Sequence, residues 1–156
     1  MKRFLVYLFI VLGLVVNTKA DDIRDFQVGG VSIGDSLLDH FDKIKITNAL
    51  KDAYYYPDRK FLDIFIKPSN ASSYEILQIT LKNTDKSFTT HSVGGQINFI
   101  NKIDECYKKQ KEIDNDIKQL FQNAKREVFE YKHAGDKTGN TKEKDIVYVL
   151  KSNAEI

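Results

Sequence analysis

Phe61-Leu62-Asp63-Ile64-Phe65-Ile66, closed by Lys67-Pro68, and Tyr74-Glu75-Ile76-Leu77-Gln78-Ile79-Thr80-Leu81 are the stretches whose reading decides the fold. The first is rich in β-branched and aromatic residues and stops at a proline, the composition of a strand. The second alternates, placing Tyr74, Ile76, Gln78 and Thr80 on one face and Glu75, Leu77, Ile79 and Leu81 on the other, and Leu77, Ile79 and Leu81 mark the second face as the buried one. Residues 68–73 are turn chemistry and Asn83-Thr84-Asp85-Lys86 is a second turn. A third strand is predicted over Phe88–Val93, interrupted or bulged at Gly94-Gly95 and resumed over Gln96–Phe99. Connections this short cannot hold parallel crossovers, so the strands form an antiparallel meander.

Downstream, Asn101 is the expected N-cap of a long helix over about 102–127. Ile103, Cys106, Tyr107, Ile113, Ile117, Leu120, Phe121 and Ala124 recur at helical spacing, and Lys, Glu, Asp and Gln fill the opposite face. Residues 133–144 read as a polar loop, and Asp145–Leu150 as a final strand. Upstream, Gly29-Gly30 marks a turn between Phe26-Gln27-Val28 and Val31-Ser32-Ile33. Gly34-Asp35-Ser36 then opens a short helix ending near Asp42, with Asp35 or Ser36 as cap and Leu37, Leu38 and Phe41 as its apolar stripe. A further short helix is expected from Thr47 through Ala53. The expected fold is therefore α+β: an antiparallel sheet of about four strands, with a short N-terminal helix and one long amphipathic helix packed on it.

The N-terminus reads as a secretory leader, residues 1–20. Lys2 and Arg3 precede an apolar run of 13 residues, Phe4–Val16, and Thr18 and Ala20 stand at −3 and −1 of a cut. That run falls short of the roughly 20 residues a bilayer span requires. Residues 21–156 are then expected to be one α+β domain; nothing closes the sheet after Leu150, which leaves open a natural end further on. Cleavage changes the charge argument. The chain holds 24 basic and 22 acidic residues, but Lys2, Arg3 and Lys19 belong to the leader, so the remainder carries 21 against 22. A net charge of −1 with interspersed signs excludes the electrostatic footprint of a nucleic-acid binder. Asp21 rather than cysteine at the cut excludes a lipoprotein anchor. The expected location is periplasmic or secreted.

Gly34-Asp35-Ser36-Leu37 also resembles the nucleophile block of GDSL-type (SGNH) ester hydrolases. The resemblance implies Ser36 as nucleophile, activated by a histidine that an aspartate orients. The other blocks of that family are not met: Gly95-Gln96-Ile97-Asn98 and Glu130-Tyr131-Lys132-His133 are the nearest strings, and neither carries the required acid. The wider segment Gly30–Phe41 resembles the helix start of BamE/SmpA-like and β-lactamase-inhibitor-protein-like domains, which implies a non-catalytic periplasmic module. Asp22-Ile23-Arg24-Asp25-Phe26 with Ser32-Ile33-Gly34-Asp35-Ser36-Leu37-Leu38-Asp39 is similar to a set of uncharacterised exported proteins of marine bacteria.

His40, His91 and His133 show no metal-ligand spacing, and the acidic residues no calcium-loop pattern, so no metal or cofactor is expected. Cys106, the one cysteine, can form no intramolecular disulfide and is expected to be buried on the helix stripe. Tyr54-Tyr55-Tyr56-Pro57 is either a segment packed on the sheet, the favoured reading, or an exposed recognition patch. Asn70-Ala71-Ser72 is a glycosylation sequon, silent in a bacterial source. The functional expectation is a non-catalytic binding or interaction module, with another exported or envelope protein as partner; the alternatives are an ester hydrolase using Ser36 and an inhibitor that covers another enzyme's site.

Overall fold

In the computed structural model, residues 23–68 and 73–156 are described. The leader and the sequon lie outside them. Strand β4 (Phe61–Ile66) pairs antiparallel with β5 (Ile76–Lys82), with Leu62 opposite Leu81, Ile64 opposite Ile79 and Ile66 opposite Leu77. All six side chains are buried. At about 1.5–3 kcal/mol for each large aliphatic side chain removed from water, they are the main stabilising block of the sheet.

The chain reaches this sheet through short elements. Strands β1 (Gln27–Val28) and β2 (Val31–Ser32) form a small hairpin across Gly29-Gly30. Helix α1 (Lys43–Ala49) follows, and then β3 (Tyr54–Tyr55), which adds to β4. On the far side of β5 lies β6 (Thr90–Gln96), giving an antiparallel order β3-β4-β5-β6. Val28, Val31, Leu37, Phe41 and Ile46 close over the inner face and complete one hydrophobic core.

A second core lies beyond the sheet. Helix α2 (Ile103–Leu120) packs Ile113 and Ile117 against a separate hairpin of β7 (Lys125–Lys132) and β8 (Lys142–Val149). Phe121, Tyr148 and Leu150 are buried there. Arg126 grips Asp114 with two hydrogen bonds of 2.7 and 2.9 Å, and the Tyr148 hydroxyl donates to the same carboxylate at 2.5 Å. Those bonds, the guanidinium's first, hold the Asp114 pKa below its ordinary value. Phe26 belongs to both cores, its ring meeting Phe121 edge-on at 5.9 Å.

The mixed helix-and-strand composition, the antiparallel sheets and the long helix agree with expectation; the arrangement differs in several places. The described residues form three sheets, and the final strand joins a hairpin instead of the four-stranded sheet. The fourth strand of that sheet is Tyr54–Tyr55, and α2 packs on the hairpin. The long helix stops at Leu120, because Phe121 leaves helical geometry (φ −112°, ψ 62°) and Lys125 begins β7. Asn101 takes a positive φ of 57° and does not cap; Lys102 occupies the cap position without a side-chain bond. The stretch opened by Ser36 is a single 3-10 turn, Leu37–Asp39. It ends because Asp42 caps the next helix by accepting from Lys45 N, so α1 starts at Lys43 instead of Thr47. Strand β6 runs through Gly94-Gly95, and the irregularity falls at His91, between the pairs Thr80–Ser92 and Leu81–Thr90.

Gly29 sits at φ +62°, where an added Cβ would lie 2.9 Å from Leu77 Cδ2. Gly30, at φ +86°, has open space around the same position. In urea denaturation, Gly30→Ala is expected to cost about 1–2 kcal/mol from backbone strain alone. Gly29→Ala should cost more, by about a further 1–3 kcal/mol, since it also overpacks the core.

Candidate functional site

Strand alternation projects one set of side chains away from the inner core. Phe61, Asp63 and Phe65 leave β4 on that side, with Gln78 and Thr80 from β5 and Ser92, Gly94 and Gln96 from β6. Tyr54 stands opposite Asp63 on the edge strand. This outer face is open: Tyr54 is 59% and Phe65 44% exposed. Gly94 lies at its middle, and a Cβ there would meet nothing within 4 Å.

Asp63 organises the face. The residue is only 3% exposed, and its carboxylate accepts from Tyr56 Oη (3.1 Å), Gln78 Nε2 (2.8 Å) and Thr80 Oγ1 (2.7 Å). Gln96 Nε2 donates onward to Gln78 Oε1 at 3.4 Å, so a polar chain crosses from β4 to β6. Burial and the bond to Asp63 push the Tyr56 phenol pKa upward. At one end a shallow hollow of about 580 Å³ is lined by Tyr56, Pro57, Phe61, Thr80, His91 and Ser92. The bulge at His91 turns its imidazole over Phe61, with ring centres 5.2 Å apart and near-perpendicular planes. The tyrosine segment thus pairs with the sheet through β3 while its rings stay exposed, against the favoured expectation of packing.

Ser36 stands elsewhere, on the rim of the first core. Its hydroxyl donates to Ser87 O at 2.7 Å and accepts from Leu38 N at 3.3 Å, the bonding of a helix cap. Asp35 accepts from Ser32 N at 2.9 Å, and its Oδ2 also lies 2.9 Å from His40 Nε2. The aspartate of the Gly-Asp-Ser-Leu string and the nearby His40 are therefore brought together, while the serine hydroxyl is spent on a backbone carbonyl. His133 lies far along the chain in the β7–β8 turn, accepting from Gly135 N and facing Glu143 at 3.3 Å. Among the described residues no group of three or more His, Cys, Asp or Glu side chains could hold a metal ion. No helix among them is long and apolar enough to cross a membrane.

Cys106 is half-buried, not buried. It borders a cleft of about 250 Å³ with Tyr74, Ile97, Ile113, Ile146 and Tyr148. No protein-family model matches the chain, and comparison with curated proteins and with solved structures finds no match either.

Sequence reasoning passed over Asp63, since a lone aspartate in an apolar strand gives no motif. Its signal was the parity shared with Gln78 and Thr80 on the neighbouring strand.

Asp63→Ala should cost about 1–3 kcal/mol in chemical denaturation, by leaving three donors without their acceptor. The turn behind Ser36 titrates in a defined range. Hydrogen bonds from Thr89, side chain and backbone, and from Ser87 N hold Asp85 at a pKa of about 2. The native carboxylate binds its proton more weakly than the unfolded one, so its stabilisation is complete above about pH 4 and lost as pH falls toward 2. Thermal melts of Asp85→Asn and the parent should differ at pH 5 and converge by pH 2.

Proposed function

We propose that this chain is an exported, non-catalytic interaction module whose outer sheet face docks a protein of the same compartment, periplasmic or secreted. The observation that carries the reading is the chemistry of that face: exposed tyrosine and phenylalanine rings around a buried, internally satisfied carboxylate, with amides and hydroxyls between them. Protein interface cores share this composition, enriched in aromatic residues and depleted in charge. Tyrosine offers a large apolar body with a hydrogen-bonding tip at low entropy cost. The Asp63 network holds Tyr56 and Gln78 in place before any partner arrives, which lowers the cost of binding. A polyanion such as nucleic acid would need basic side chains here, and the face is nearly neutral. The leader pattern of residues 1–20 supports export.

Photo-crosslinking from Tyr54 in intact cells, with position 142 on the distal hairpin as control, is expected to trap a partner at Tyr54 alone. With that partner purified, Tyr54→Ala and Phe65→Ala should each weaken binding about tenfold or more while leaving the circular dichroism unchanged. Equal trapping at both positions, or unchanged affinity, would refute the assignment. N-terminal sequencing of the secreted form should begin at Asp21.

Ser36→Ala is expected to lower stability by about 0.5–2 kcal/mol, the usual cost of a lost cap. The same variant should show no change in p-nitrophenyl acetate hydrolysis; serine-dependent turnover would reinstate the hydrolase.

A further inference from the structure

Among the described residues, strand β7 has β8 on one side and no strand on the other. Its backbone parity follows from the C-terminal pairing. Tyr148 exchanges both backbone hydrogen bonds with Ile156, so the pair Arg126–Tyr148 is not bonded within the hairpin. His133 N, at odd parity, does bond across to Thr141 O. Arg126, Val128, Glu130 and Lys132 therefore turn their N–H and C=O groups toward the free edge. A strand spanning Lys125–Lys132 with an open row of donors and acceptors is a template for another strand.

We infer that this edge is a self-association surface, on which a second copy of the chain adds its own β7 antiparallel about a two-fold axis at Val128. Directly opposite residues in an antiparallel ladder share the same bonding state, so a two-fold axis must fall on a residue. An axis at Glu127 or Glu130 sets that carboxylate against its own copy, and an axis at Phe129 sets Arg126 against Lys132. An axis at Arg126 or Tyr131 engages only one end of the strand. Val128 alone engages most of the strand and opposes no like charges: Arg126 faces Glu130 of the second copy twice over, and Lys125 faces Tyr131. Scattered charge on an edge strand ordinarily guards against pairing; here the order of signs rejects the other long registers and admits this one. The contact covers Val128, 43% exposed, and merges the two outer hairpin faces bearing Phe129 and Tyr131, 47% and 46% exposed, beside Val147 and Val149.

Sedimentation velocity of the purified protein across a concentration series should show a monomer–dimer equilibrium. Val128→Pro removes an outward N–H and spares the β7–β8 ladder, so it should abolish the dimer with the hairpin intact. Glu130→Lys, at an exposed position, should raise the dissociation constant about tenfold or more by opposing Arg126. Because both substitutions act at the edge, unchanged circular dichroism with loss of dimer supports the proposal. In a Cys106→Ala background, Val128→Cys should form an oxidised dimer at the roughly 5.5 Å Cα separation of a bonded pair, while Glu130→Cys should not. A monomer at every concentration, a dimer indifferent to both edge variants, or cross-linking at position 130 instead of 128 would each overturn it.

Discussion

The pairing of Ile64 with Ile79 fixes almost everything else in the four-stranded sheet. Both side chains have no exposed surface, and a slip of one residue would turn them to water and bring Asp63 and Thr80 inside. With the register locked, the outer face is determined by parity alone. Asp63, Gln78 and Thr80 converge, and Tyr54 and Phe65 flank them. The apolar core and the proposed docking face are two readings of one register. The carboxylate at Asp63 is tolerated so near the core because three donors reach it, which is the condition a buried charge must meet.

The second constraint is how two hydrophobic cores share one ring. Phe26 contributes to the inner face of the sheet and meets Phe121 at the end of α2. The hairpin β7–β8 could not hold its form on two strands, and α2 supplies its buried face. The Asp114, Arg126 and Tyr148 cluster then sets the orientation, because it joins the helix to both strands through directional bonds. The first turns of α2 face the polar end of the hairpin, Glu130 and Lys142–Lys144, with Lys144 Nζ 6.0 Å over the Tyr107 ring, and Ile103 and Tyr107 remain exposed although they lie on the apolar stripe.

What could be read from the sequence follows from these same forces. Phe61–Ile66 was legible from its β-branched and aromatic composition and its proline stop, and Leu77–Leu81 from its alternation against a buried face. Helix α2 was legible from its stripe, though not its end. Lys125–Lys132 carries five charges and no alternation of polarity, so its first residues read as the end of the polar helix and the rest give no signal; only its tertiary partner, Tyr148, shows that it is a strand. Tyr54–Tyr55 is too short to signal a strand and owes its pairing to β4. The proposed docking face was hidden for a different reason. Its residues are scattered over β3, β4, β5 and β6, and single-strand periodicity labels each as merely solvent-facing.

The Gly-Asp-Ser-Leu string shows how a catalytic pattern and a structural one share physical content. Gly34 at φ +95° turns the chain sharply out of β2, Asp35 closes the loop on Ser32 N, and Ser36 caps the turn that follows. Those are the geometric needs of any strand-to-helix junction. A nucleophile requires one thing more, a base that accepts the serine proton. Here the acceptor is Ser87 O, held in place because Asp85 bonds Ser87 N and Thr89 N and fixes the turn. His40 is close in sequence, yet its ring is turned to Asp35. The tetrapeptide therefore builds the junction that carries Leu37 into the core, and its chemistry is spent on holding that junction shut.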